Sequence, residues 1–259
     1  MTVTPTALSP NLFKQGLAQG RKQFGLWLSL ESPNVTEVMA GSGYDWLLLD
    51  MEHTCLDTSQ VADHLRAARG GTAELVVRIP WNEPVIVKRL LDAGVRSIMV
   101  PFVQGAGEAR RAVAATRYPP HGIRGVSVAA RASRYGRTPG YLGKANDEIC
   151  VLVQVETRAA LSELEAIAEV PGVDGVFIGP SDLAASLGHL GNPQHAEVQK
   201  AIKDAVDRLT KVGKPAGMLT GNEEEAKRYI DWGYKFVAVG ADVGLLAKNA
   251  DALCKRFKG

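Results

Sequence analysis

The residues of this chain that can do chemistry stand at the ends of short apolar runs. Asp50-Met51-Glu52-His53 follows the run from Trp46, Arg78 falls within the run Leu75–Ile79, Gln154 and Glu156 close the run from Cys150, and Gly179-Pro180-Ser181-Asp182 follows the run to Ile178. Gln154 and Glu156 are two apart and share one side of an extended chain. Glu156 and Asp182 form a pair of carboxylates that suits a hard divalent cation (Mg²⁺, Mn²⁺ or Co²⁺) with room left for a chelating substrate. An ion pair, or a helix cap at Asp182, would account for the same acids without a metal. Arg78 carries a permanent charge that suits an oxygen becoming negative in an enolate; its plainer reading is a surface ion pair. His53, between acidic neighbours, suits proton transfer near neutral pH. His64, His121, His189 and His195 lie away from such a run end. Activation of a carbonyl by an imine would need a lysine beside these groups. Lys214 and Lys235 stand instead at the beginnings of runs, while Lys88 and Lys144 fall in a helix and a loop, which favours a metal.

Something must gather these run ends onto one surface. The apolar runs are Phe24–Leu30, Trp46–Met51, Leu75–Ile79, Ser97–Pro101, Cys150–Val155, Val173–Ile178, Ala216–Leu219 and Phe236–Val239. Nearly continuous apolarity is the mark of parallel strands buried on both faces. Helical patterns lie between them, including Glu108–Thr116, Arg158–Ala168 and Glu197–Lys211, with Gly94, Pro171-Gly172, Gly213 and Gly233 at boundaries. Eight strands alternating with helices over 259 residues predict a single (β/α)8 barrel, one domain spanning 1–259. A doubly wound open sheet fits less well, because the nearest thing to a dinucleotide glycine fingerprint, Gly105-Ala106-Gly107, has Arg110 in place of a third glycine. In such a barrel the active site forms at the C-terminal ends of the strands, where all the residues above fall.

The formal net charge of +2 and 22% charged residues point to no nucleic-acid partner, and no apolar run is long enough to span a membrane. Three scattered cysteines (Cys55, Cys150, Cys254) make neither a disulfide framework nor a CxxC zinc site and suit a reducing cytoplasm. Met1 to Gln23 lacks a signal-peptide pattern. The stretch 117–149 is long for a connection inside a compact domain and carries Arg117, Arg124, Arg131, Arg134 and Arg137. It reads as a subunit contact or an anion-attracting wall of the active site, with a solvated basic surface as the plainer alternative.

Six stretches now resemble one family: GLWLSL (25–30), DWLLLDMEH (45–53), VVRIPWN (76–82), ATRYPPHGIRGV (115–126), VLVQVET (151–157) and GVDGVFIGPSDL (172–183). They are similar to the metal-dependent class II pyruvate aldolases, the 4-hydroxy-2-oxoheptanedioate and 2-dehydro-3-deoxyglucarate aldolase type, from about Gly25 to Phe257. The resemblance implies that His53 is the acid–base histidine, that Arg78 stabilises the enolate oxygen and that Glu156 and Asp182 ligate the metal. It also implies that Gln154 and the backbone amides of Ser181 and Asp182 hold the 2-oxo acid, and that Asp92 in LLDAG raises the basicity of the histidine. Periodicity puts Asp92 at the end of a helix running away from the rim, which leaves Asp50 as a rival partner for His53. Departures are Met51, where many members have glycine, and the loop GVSVAARASRYGR, which mixes features of the two activities. The family assembles as hexamers that exchange C-terminal helices, and an apolar helix near Leu245–Phe257 is compatible with this. The implied activity is reversible aldol addition between the enolate of pyruvate or hydroxypyruvate and an aldehyde. Decarboxylation of oxaloacetate or another lyase reaction of the superfamily is the runner-up, and a non-catalytic scaffold barrel is the remote alternative.

Overall fold

The computed structural model describes residues 7–258. Eight parallel strands close into a barrel in sequence order, each hydrogen-bonded to its neighbours and β8 to β1. They are β1 (Gln23–Leu28), β2 (Trp46–Asp50), β3 (Glu74–Arg78), β4 (Ser97–Val100), β5 (Cys150–Val155), β6 (Gly175–Ile178), β7 (Ala216–Leu219) and β8 (Phe236–Ala241). The expected runs are therefore strands, displaced by one or two residues at most ends. Helices α2 (Pro33–Ala40), α3 (Thr58–Ala67), α4 (Pro84–Ala93) and α5 (Ala106–Thr116) follow the first four strands. Helix α6 (Tyr141–Glu148) precedes β5; α7 (Arg158–Ser162) and α8 (Leu164–Ala168) follow it. After β6 come α9 (Pro180–Ser186) and α10 (Ala196–Lys211), and α11 (Glu223–Trp232) and α12 (Asp242–Lys258) follow β7 and β8.

The two-residue repeat of a strand splits the core in two. Leu47, Leu49, Leu75, Val77, Val151, Val153, Val176 and Ile178 face outward into the layer shared with the helices. Trp27, Trp46, Leu48, Val76, Met99, Leu152 and Phe177 face inward and fill the barrel. Each fully buried aliphatic side chain contributes roughly 1.5–3 kcal/mol. The lower mouth is plugged by α1 (Leu12–Ala18), whose Phe13 and Leu17 join the inner cluster. Asn11 caps α1 and donates to Ser97 Oγ at 2.9 Å and to the Glu148 carbonyl at 3.1 Å, tying the plug to the strand starts.

Three details differ from the expected pattern. The helix read across 158–168 is broken at Glu163, which leaves the helical conformation and ends α7. The stretch 117–149 is not one open loop, since it contains a 3-10 turn at Arg131–Ser133 and helix α6. The C-terminal helix starts at Asp242 rather than near Leu245, because buried Asp242 accepts from the amides of Ser29 and Leu30 at 2.9 and 3.1 Å. No helix among the described residues is long and apolar enough to cross a membrane. Of the stretch read for a leader, residues 1–6 lie outside the described residues.

Candidate active site

The inward series of β2, β3 and β5 turn polar at their C-terminal ends. Trp46 and Leu48 lead to Asp50, Val76 leads to Arg78, and Leu152 leads to Gln154 and then Glu156. Asp50 and Arg78 are register partners on β2 and β3. The guanidinium donates from Nε to Asp50 Oδ1 at 2.9 Å and from Nη2 to Oδ2 at 2.6 Å, a bidentate pair, while Nη1 lies 2.8 Å from Glu52 Oε2. Its carbon sits 4.8 Å from the ring centre of Trp27, whose indole N–H donates to Asp50 at 3.2 Å. Burial works against the Asp50 carboxylate, but the hydrogen bonds and charge of Arg78 outweigh it and hold the group below its ordinary range. A guanidinium has five N–H donors, so three remain after the two bonds to Asp50, because Glu52 Oε2 is close in charge but accepts no hydrogen bond. The surface ion pair considered for Arg78 is excluded, since its side chain is 8% exposed.

Across the mouth, Glu156 is buried and accepts from the Phe102 amide at 2.9 Å and from the side-chain amide of Gln154. The other amide atom of Gln154, Oε1, is buried without a partner among the described residues. Gly179 makes this arrangement possible: a Cβ there would lie 2.4 Å from Glu156 Oε2 and 2.9 Å from Glu156 Cβ. Burial lifts the Glu156 carboxyl to about 7; the Gln154 hydrogen bond opposes the shift, and the charges of Asp182 and Glu52 add to it. Glu52 is likewise pushed up by burial, which the charges of Arg78 and His53 only partly offset. Asp182 is the third residue of α9 and provides no cap, since Gly179 holds that position without a side-chain bond. The amides of Ser181 and Asp182 lie in the first helical turn, where N–H groups have no intrahelical acceptor. Glu52, Glu156 and Asp182 act on one another by charge, and their carboxylate oxygens are donors of the kind that hard divalent cations select.

The remaining expected residues distribute unevenly. His53 is at the rim, 64% exposed, with Nε2 at 3.9 Å from Glu52 Oε2. It contacts neither rival aspartate: Asp50 is committed to Arg78 and Trp27, and Asp92 lies near the lower end of α4, bridged to Arg124 at 3.0 Å. Lys214 and Lys235 immediately precede β7 and β8, at the opposite end of the barrel. Sequence reasoning missed Trp27, the requirement for glycine at position 179 and the Phe102 amide. Trp27 had a readable signal, since it sits three residues before the end of GLWLSL, on the inward side of β1. Among the described residues the group of metal-ligand types whose ligand atoms lie within 4.8 Å of one another is His189, His195 and Glu197, outside the barrel mouth at the start of α10.

A profile of the HpcH/HpaI aldolase/citrate lyase family matches residues 23–249. The chain belongs to this family. It is 55% identical over 248 residues to the 4-hydroxy-2-oxo-heptane-1,7-dioate aldolase of Shigella sonnei, covering 95% of both chains. The corresponding aldolase of Klebsiella pneumoniae is also 55% identical over 248 residues, with 95% of this chain and 94% of that one covered. The crystal structure of a family protein from Burkholderia cenocepacia J2315 matches with a TM-score of 0.94 at 41% identity, over 96% of this chain and 100% of that one. This family member is therefore a carbon–carbon lyase, an aldolase that joins or splits a 2-oxo acid and an aldehyde, both small molecules. The scaffold alternative falls away.

Proposed function

We propose that this aldolase depends on a divalent metal (Mg²⁺, Mn²⁺ or Co²⁺) held by Glu156 and Asp182, and that its 2-oxo acid is pyruvate or hydroxypyruvate. The observation that carries this reading is the placement of Glu156, buried at the barrel mouth beside Gln154 and Gly179; burial first, and the charges of Asp182 and Glu52 after it, lift its carboxyl to about 7, and a bound cation would relieve both. The cation supplies a Lewis acid that lowers the cost of forming an enolate. Gln154 and the first-turn amides of Ser181 and Asp182 orient the 2-oxo acid through its carboxylate. Arg78 directs its remaining N–H groups at the enolate oxygen, its plane held by Asp50 and its stem by Trp27. His53, open to solvent beside Glu52, takes the hydroxyl proton of the aldol in cleavage and returns it in addition. The heptanedioate substrate in the names of the relatives is the first aldol to assay.

Asp92 enters this reading only through a second copy of the chain, because the length of α4 separates it from its own His53. The apolar side chains that α12 leaves exposed, Val243, Leu245, Leu246, Leu253 and Phe257, favour contact between copies and so the hexamer implied by the resemblance. Three free cysteines suit a cytoplasmic setting. Decarboxylation of oxaloacetate shares the enolate and belongs to the same site as a side activity.

The metal reading is tested by calorimetric titration of Mn²⁺ into the EDTA-treated protein and its Glu156→Ala and Asp182→Ala variants. Both variants are expected to lose metal affinity sharply with circular dichroism unchanged, and EDTA to abolish aldol cleavage until Mg²⁺, Mn²⁺ or Co²⁺ is restored. Unchanged affinity in either variant, or trapping of pyruvate on the protein by borohydride, would overturn it. The histidine assignment has its own readout. His53→Ala should slow aldol cleavage and exchange of pyruvate methyl protons about 10²–10⁴-fold. Oxaloacetate loss, which needs no initial deprotonation, should fall less. Equal slowing of all three would make His53 an organiser of the site rather than a proton carrier.

A further inference from the structure

The arginines of 117–149 do not form one basic surface. Arg117 and Arg124 are buried, the first donating to Thr116 Oγ1 and the Ile149 carbonyl, the second paired with Asp92. Arg131, Arg134 and Arg137 instead line a cavity of about 480 Å³ together with Tyr135 and with Arg66 and Arg69 of the α3 end. A second cavity of about 370 Å³ shares Arg69, Arg131 and Arg134 and extends to Arg96. Arg66 and Arg69 lie at the C-terminal end of α3, and Arg96 precedes β4. These cavities therefore open at the N-terminal face of the barrel, away from the rim, and the stretch does not form an anion-attracting wall of its own chain's active site.

The cluster is almost uncompensated. Among the described residues Arg66 is bridged to Asp63, but no carboxylate lies within 4.0 Å of Arg69, Arg131, Arg134 or Arg137. Arg131 is seated deliberately: its Nη1 donates to the Ala93 carbonyl at 2.6 Å, at the C-terminus of α4. Gly94 makes room for it, with φ at 105°, and a Cβ there would lie 2.9 Å from Nη1. Helix ends explain Arg66, Arg69 and Arg131, since cations favour helix C-termini. They do not explain Arg134 and Arg137, which close the same cavity from the loop. Burial and the facing charges of Arg69 and Arg66 push Arg131 below its ordinary value, with Tyr135 and Asp63 opposing.

We propose that this cavity binds a small phosphorylated ligand, at a site separate from the catalytic rim of its own chain. Guanidinium groups match phosphate oxygens through paired N–H donors, and several around one concavity select a multivalent anion. The exposed ring of Tyr135 offers an apolar wall for the organic part of such a ligand.

The test uses the full-length enzyme saturated with Mg²⁺ and with oxalate, which fills the rim. Radiolabelled inorganic phosphate and fructose 1,6-bisphosphate are measured by equilibrium dialysis at fixed ionic strength, with malonate as the dicarboxylate arm. The expected result is one saturable site per chain, tighter for the bisphosphate than for phosphate, weakened at least about tenfold in the Arg134→Ala/Arg137→Ala double variant. Both positions are exposed, so the fold is not at stake, and aldol cleavage should remain at the wild-type rate. Unchanged binding in the double variant, no saturable binding to the wild type, or malonate binding as tightly as the bisphosphate would overturn the proposal. So would a change of oligomeric mass in the double variant, which would make the cluster a contact between copies of the chain.

Discussion

Two buried arginines, each paired with an aspartate and laid on an aromatic ring, sit near opposite ends of this barrel. Arg78 engages Asp50 with two hydrogen bonds, lies over Trp27 and has Glu52 within 2.8 Å. Arg124 lies over Tyr118 and reaches Asp92 with a single donor at 3.0 Å, while its Nε and Nη1 are buried without partners among the described residues. Burial raises the Tyr118 hydroxyl to about 12, and the charge of Arg124 opposes the shift. A charge fixed on two sides keeps its remaining donors aimed in one direction, as stabilisation of an oxyanion requires. A charge fixed on one side is a strut, here joining the end of α4 to the segment 117–124. The same residue types thus serve different ends, and the number of satisfied donors tells them apart.

The largest contrast should be kinetic. Arg78→Ala removes the donor assigned to the enolate oxygen and should depress aldol cleavage, oxaloacetate decarboxylation and pyruvate proton exchange alike, by about 10²–10³. Arg124→Met should leave all three within a few-fold in steady-state assays. Comparable losses in the two variants would erase the distinction. The next effect concerns stability. Asp92→Asn leaves the Arg124 charge buried and uncompensated, which should cost about 3 kcal/mol in urea unfolding, near the low end for a broken buried pair because Asp92 is partly exposed.

A smaller effect separates the two ends by pH. Glu156 has a folded pKa of about 7 against an ordinary value of 4.5. Metal-free folded protein keeps a proton that the unfolded chain releases, so stability should fall as pH rises from about 4.5 to about 7 and then level off, by at most about 3 kcal/mol from this group. Glu156→Gln should flatten that part of the profile, measured by urea unfolding in EDTA, whereas Arg124→Met should leave it in place. Parallel profiles for the wild type and Glu156→Gln would show that Glu156 is not the carboxyl responsible. The smallest effect is the stability of Arg124→Met itself. It removes two unpartnered buried donors and leaves an aspartate that water can reach, so the change should stay within about 1.5 kcal/mol.

Much of the barrel was legible because burial on both faces leaves parallel strands with continuous Val, Ile and Leu, as in LLL at 47–49 and VLV at 151–153. The rim residues were legible for a related reason: they continue the inward series past the point where the packed interior ends. The split of the helical run at Glu163 and the helix α6 within 117–149 were not, because local periodicity there is weak and packing against the barrel decides. Gly179 was visible as a residue but not as a requirement, since its need arises from a glutamate 23 positions earlier on the neighbouring strand.

The sequence by itself determined that eight strands alternate with helices and that Asp50, Arg78, Gln154 and Glu156 stand at strand ends, while runs apolar on both faces left open which side chains point inward. Family membership also follows from it, since those residues sit in contiguous stretches. Only the tertiary structure decided what each charge is paired with. Asp92, implied by resemblance, and Asp50, nearer in sequence, were rival partners for His53, yet closure of the barrel gives Asp50 to Arg78 and Trp27 and leaves Asp92 with Arg124. The arginines of 117–149 were likewise one group in sequence and are two in space, buried struts and the wall of a cavity at the far face. The reason is geometric. Strand and helix patterns are set by neighbours within a few residues, whereas a hydrogen bond or an ion pair depends on distances of about 3 Å between atoms that chain closure alone brings together.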